Sequence, residues 1–186
     1  MSFYENHPSG VPDETRRLWL GTVKCLTDEQ EEYRMKLHKV IDEGNPWCLV
    51  VYGKIGNGKS FLAQVAIATR NEHRFYGAIY TTQPRIQAEL WSGDKMNGDV
   101  FKDLASAPAL VIDELSDREK DWTDFIKTNI ENILVERHSR KLPTVLIGNV
   151  TKDRMVKMFD KRIRDRLKEG LEMEMKGSSL RRENNG

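Results

Sequence analysis

Cysteine is scarce in this chain of 186 residues: there are two, Cys25 and Cys48, with no C-x-x-C spacing. Two such residues cannot build a zinc site alone, and a disulfide framework is not expected. No apolar run approaches the roughly 18 residues of a membrane span. The opening stretch MSFYENHPSGVPDETRR has no apolar segment of the kind a secretory leader carries. These absences point to a reducing, cytoplasmic setting with no membrane partner. An excess of charge is lacking too. Thirty Lys and Arg face 29 Asp and Glu, net +1, so bulk charge does not announce a polyanion. Repeats and low-complexity tracts are absent.

What is present suits one globular domain: 38% apolar and 32% charged residues, in a chain long enough to bury about 70% of its unfolded surface. The charge is uneven. Residues 152–186 hold 11 Lys/Arg against 7 Asp/Glu, which leaves the rest net acidic. That tail is a weak sign of a polyanion partner, and equally a solvated mixed-charge helix.

Apolar runs and helical patterns alternate along the chain. Thr27 and Gln30 have capping-box spacing and open a helix that Gly44-Asn45-Pro46 ends. WCLVVY (47–52), FYGAIYTT (75–82), ALVIDEL (109–115) and PTVLIGNV (143–150) read as strands buried on both faces, and residues 171–176 alternate as a fifth. Helical patterns cover about 60–71, 83–91, 100–105, 122–140 and, as basic sequence, 152–169; residues 92–99 read as a polar loop. The order predicts an α/β fold: a parallel five-stranded sheet with helices on both faces. Function in such sheets sits at the carboxyl ends of the strands, where Gly53, Asp113 and Asn149 interrupt the apolar runs.

Gly53-Lys-Ile-Gly56-Asn57-Gly58-Lys59-Ser60 matches G-x-x-x-x-G-K-[ST] in full, with a strand before it and a helix from about Ser60 after it. Backbone N–H groups of such a loop curl around a polyphosphate, and the helix N-terminus adds its positive end. Lys59 would reach the β- and γ-phosphates, and Ser60 would ligate Mg²⁺. The predicted nucleotide-binding set is Gly53, Gly56, Asn57, Gly58, Lys59, Ser60 and Phe61. The third strand ends in Asp113-Glu114. Asp113 would hold Mg²⁺ through water, and Glu114 would polarise an attacking water. Asn149, ending the fourth strand, is equally a turn former and an amide that bonds a γ-phosphate or that water.

With these motifs in place, the chain resembles the AAA+ ATPases, P-loop NTPases with a RecA-like core. Within them it is similar to bacterial and phage replicative helicase loaders of the DnaC/DnaI type, close to the IstB-type transposition ATPases. The resemblance spans Leu26 to Arg182 and rests on YGKIGNGKS, LVIDEL, ILVERHSRKLPTVLIGN, RIRDRL and GSSLRR, in that order. It implies ATP and Mg²⁺ as cofactors and ATP hydrolysis at a site completed by a neighbouring subunit of a helical or ring-like homo-oligomer. It further implies a replicative DNA helicase and single-stranded DNA as partners, in a bacterial cell or a phage-infected host. Asn149 takes the position of sensor I. Arg166 matches the arginine finger that serves the neighbour's nucleotide, with Arg162 and Arg164 close by. Arg181 resembles sensor II.

The chain departs from the family in two places. Residues 1–26 are short for the helicase-gripping module of such loaders and hold no zinc ligands, while residues 27–186 cover the ATPase domain with a short or absent lid. The patch Leu18–Leu20 is read either as a partner-docking segment built on Trp19 or as packing on the domain's own sheet. Arg85, Trp91, Lys95, Lys102, Arg118 and Lys120 follow the second and third strands and are too scattered to define a nucleic-acid surface. Competing expectations are an IstB-like ATPase on duplex DNA and a small-molecule P-loop kinase, whose arginine-rich lid would also account for residues 162–166.

Overall fold

Five short apolar runs assemble into a single parallel sheet. The computed structural model describes residues 10–73, 77–92, 95–116 and 123–177. Its elements are α1 (Asp13–Arg16), α2 (Asp28–Leu37, prolonged by a π turn His38–Asp42), β1 (Cys48–Gly53), α3 (Lys59–His73), β2 (Ile79–Thr82) and α4 (Gln83–Leu90). A two-stranded hairpin follows, β3 (Trp91–Ser92) and β4 (Lys95–Met96), then α5 (Gly98–Ser106), β5 (Leu110–Leu115) and α6 (Asp124–Ser139). The chain continues through β6 (Thr144–Gly148), α7 (Lys152–Lys157), α8 (Lys161–Leu167) and β7 (Leu171–Met175).

The main sheet has the order β2-β5-β6-β1-β7, and every pairing in it is parallel. Each central strand is buried on both faces, because alternate residues serve two separate cores. Leu49 and Val51 pack with α2 and α3 on one side. Val50 and Tyr52 pack with α4, α5, α6 and α8 on the other. This explains why the strands read as unbroken apolar runs.

Three local readings change. Residues 92–99 are not simply a loop, since Trp91↔Met96 and Ser92↔Lys95 pair as a hairpin. The basic stretch 152–169 is two helices. Asp160 breaks it: its carboxylate accepts the Ile163 N–H at 2.7 Å and its own N–H donates to Glu131 at 2.8 Å. The second strand begins at Ile79, so Gly77 and Ala78 of the run that suggested it lie before the strand.

The described part of the segment before Thr27 is built into the domain. Val11 and Leu20 lie in the α3-side core, and the Leu20 N–H donates to Thr69 Oγ1 at 2.8 Å. Trp19 stays 44% exposed, with its indole N–H donating to Glu72. Leu20 is thus core, while Leu18 and Trp19 face outward.

Candidate nucleotide site

Because all five strands run the same way, their carboxyl ends meet at one edge. In the order β5-β6-β1, the end of β6 lies between the glycine-rich loop after β1 and the acids at the end of β5. A cavity of about 460 Å³ at that edge is lined by Gly56, Asn57, Gly58, Lys59, Ser60, Glu114 and Asn149, among others. Residues read from three separate strand ends therefore line a single cleft.

The loop is held by its neighbours. Gly53 has φ +131°, and a Cβ there would lie 2.1 Å from the Met175 carbonyl of β7. Gly58 has φ +93°, and its Cβ would meet Gln30 Nε2 at 2.8 Å. Only glycine fits either place. Asn57 is 3% exposed and donates through Nδ2 to Met175 O at 2.9 Å. Lys59 Nζ donates to Gly53 O at 3.0 Å, Lys54 O at 2.6 Å and Asn57 Oδ1 at 3.0 Å. The ammonium thus occupies acceptors of its own loop. Burial lowers its pKa to about 8, against the opposing pull of Asp113.

Asp113 is 1% exposed. Its Oδ2 accepts the Tyr80 hydroxyl at 2.6 Å, and its Oδ1 accepts the Glu114 N–H at 2.6 Å. Glu114 sits at φ +56°, a left-handed conformation that costs a non-glycine residue on the order of 1 kcal/mol. Its side chain is exposed and lines the cleft. Asn149 is likewise exposed on the cleft wall.

Among the described residues no cluster of three His, Cys, Asp or Glu is arranged to hold a metal. That fits Mg²⁺ brought with a nucleotide, which takes one or two protein oxygens and completes its shell with phosphate and water. The Ser60 hydroxyl and the Asp113 carboxylate are donors of that hard-oxygen type.

The basic helix is elsewhere. Among the described residues lining the cleft none is an arginine. Arg162 is exposed beside Asp160, 3.8 Å away. Arg166 Nη1 donates to its own Arg162 carbonyl at 2.9 Å. Arg164 lines a separate small hollow with Tyr52 and Lys152. Arg181 lies outside the described residues, as do Arg118 and Lys120. Arg85 pairs with Glu89 at 2.5 Å and Lys102 is paired loosely with Asp99 at 3.9 Å. Of the described cations Arg85, Lys102, Arg162, Arg164 and Arg166, none lines the cleft.

Sequence reasoning missed the residues that support the loop from outside it. Gln30 was legible only as a helix cap. Its Oε1 instead accepts the Leu26 N–H at 2.7 Å, and its Nε2 reaches Asn57 O at 3.1 Å. Beside it a hollow of about 240 Å³ is lined by Val23, Leu26, Phe61 and Leu62, next to Gly56 and Gly58. Its apolar walls and position past the phosphate loop suit a flat aromatic base. Tyr80 carried no motif signal either, because its reach to Asp113 depends on strand pairing.

No protein-family model matches the chain. The replicative helicase loader DnaC of Escherichia coli K12 is 28% identical over 132 residues, which is 69% of this chain and 53% of that protein. The chain therefore matches only about half the length of these curated relatives. A crystal structure of DnaI superposes with TM-score 0.70 at 21% identity, covering 92% of this chain and 94% of the other. The replication initiator DnaA, bound to AMPPCP and single-stranded DNA, superposes with TM-score 0.70 at 16% identity, over 90% of this chain and 51% of the other. The chain has the α/β fold of the AAA+ P-loop ATPases, and its sequence is similar to that of the DnaC-type replicative helicase loaders.

Proposed function

We propose that this chain is an ATP-binding and ATP-hydrolysing helicase loader, which delivers a replicative DNA helicase to single-stranded DNA. The observation that carries the ATPase half is the convergence of Lys59, Ser60, Glu114 and Asn149 on one cleft. The similarity to DnaC supports the loader half.

In this reading the triphosphate lies along Gly56–Ser60, and the base lodges among Val23, Leu26, Phe61 and Leu62. Lys59 leaves its loop carbonyls and turns its charge to the β- and γ-phosphates. Ser60 and Asp113 would hold Mg²⁺, which would supply charge neutralisation of the phosphates. Glu114 accepts a proton from, or orients, the attacking water, and Asn149 bonds that water or the γ-phosphate. An arginine of α8 from a second copy, Arg166 first, completes the site. The exposed Trp19 face is the surface offered to the helicase.

Titration with a fluorescent ATP analogue tests the site. Lys59→Ala is expected to abolish binding, since it removes the only cation in the loop's centre. Glu114→Gln is expected to bind as wild type and lose turnover. Wild-type affinity in Lys59→Ala overturns the phosphate-loop reading. Capture of the replicative helicase with and without ATP tests the loader half, and no capture in either state overturns it.

A further inference from the structure

At the sheet edge the Asp113 carboxylate is enclosed, at 1% exposure. Both its oxygens are already engaged. One accepts the Tyr80 hydroxyl from β2 and the other the N–H of Glu114. Tyr80 pairs with Val111 and Thr82 with Asp113 in the parallel ladder between β2 and β5. The tyrosine ring therefore starts two residues before the acid and its hydroxyl arrives alongside it. Tyr80 is itself buried, at 6% exposure, and its hydroxyl lies 2.6 Å from Asp113 Oδ2. A purely apolar role for this position would be met by Phe, with no buried hydroxyl to satisfy.

We propose that Tyr80 is a positioning residue for the metal-side carboxylate, holding Asp113 in the orientation that captures Mg²⁺ and fixing the backbone turn that presents Glu114. The inference rests on the nucleotide-site reading above. A carboxylate clamped through both oxygens cannot rotate. Its remaining lone pairs are pre-aimed, and no reorganisation is needed on metal capture. Removing the hydroxyl frees the carboxylate to turn about its side-chain bonds. The Glu114 N–H, which holds a left-handed residue in place, then loses a fixed acceptor.

The test compares wild type, Tyr80→Phe, Asp113→Asn and the double variant. ATP-analogue affinity is measured in EDTA and in a Mg²⁺ titration, beside turnover and melting temperature. Tyr80→Phe is expected to keep the EDTA affinity and to lower the melting temperature by only a few degrees, as loss of one buried hydrogen bond does. The Mg²⁺ needed for half of the metal-dependent gain in affinity, and for half-maximal turnover, should rise about tenfold, as when a partner of a metal ligand is lost. Excess Mg²⁺ should restore turnover. On the Asp113→Asn background the change should add nothing. An unchanged Mg²⁺ midpoint overturns the inference. So does an affinity loss that is equal in EDTA and Mg²⁺ and is accompanied by a large fall in melting temperature, which marks a packing role alone. A wild-type chain that binds no ATP analogue overturns the reading of the site, and this role with it; binding by wild type with no effect of Tyr80→Phe on the Mg²⁺ terms overturns the role of Tyr80 alone.

Discussion

Lys59 shows how a binding residue is kept ready at a cost to its own charge. It is buried at 3% exposure, fed by three neutral acceptors, and its pKa is pulled down to about 8 by burial. A bound polyphosphate favours the charged form, so its pKa rises in the complex. The sign follows from linkage. Below pH 8 the free protein already carries the proton and affinity is at its fullest. Above pH 8 binding must take up a proton, and affinity falls, approaching tenfold per pH unit. Calorimetry of ATP binding between about pH 7 and pH 9.5, in buffers of different ionisation enthalpy, should show this proton uptake; a flat affinity with no uptake would sink it. At this scale the motif residues were legible, because the chemistry of phosphate binding demands glycine, lysine and serine at fixed spacing. Gln30 and Tyr80 were not legible, because their partners are 27 and 33 residues away in the chain. Nothing local distinguishes them from a cap and a strand tyrosine.

Among the elements, the four strands could be read because each serves two cores and is apolar over most of its length, with polar residues gathered toward the ends. Their ends could not be read as well, and neither could the break at Asp160, which depends on Glu131 of a different helix. Arg137 is a stronger instance. In sequence it is one more charge near the end of a long amphipathic helix. In the fold it is completely buried, and its guanidinium ties α6 to Leu104 O, Ala107 O, Pro143 O and Thr144 Oγ1, at 2.6 to 2.9 Å. It thus joins the end of α5 to the start of β6. Arg137→Met takes the guanidinium donors from the buried Leu104 and Ala107 carbonyls and one of two donors from Pro143 O, and should destabilise the protein by on the order of 3–5 kcal/mol. Urea unfolding would show this as a lower midpoint, and a loss under about 1 kcal/mol would contradict the buried-anchor account. The segment before Thr27 yields the opposite expectation from a free-standing docking arm. Leu20 is core, and the Arg34 guanidinium donates to Leu20 O at 3.3 Å. Deleting residues 1–22 should therefore lower the melting temperature by several degrees, in keeping with about 2–5 kcal/mol for a lost buried leucine. Trp19→Ala, which removes an exposed side chain, should leave the melting temperature nearly unchanged.

No residue of the basic helix α8 is among the described residues lining the cleft, so a role for its arginines at that site calls for a second copy, which makes assembly a testable matter. A hydrolysing site needs fixed positive charge against the transferring phosphoryl group. The cleft holds Lys59 but, among its described lining, no arginine. Arg166 is anchored at the base: the Trp47 indole donates to its carbonyl at 3.3 Å, and its Nε is buried without a hydrogen-bond partner. The guanidinium tip rests on the Arg162 carbonyl, and the proposed finger role requires it to leave that carbonyl for a second copy's nucleotide. If copies stack so that α8 of one closes the cleft of the next, turnover per chain should rise with protein concentration. Arg166→Ala should cut it by about 10³–10⁵-fold while ATP affinity stays near wild type. Mixing Arg166→Ala with Glu114→Gln should recover part of the activity, because some junctions then pair an intact cleft with an intact arginine. Recovery on mixing cannot arise within a single chain, since each variant is inactive by itself. A rate per chain that stays constant over a hundredfold dilution, together with no recovery on mixing, would mean that each chain completes its own site, and Arg166 would lose its role.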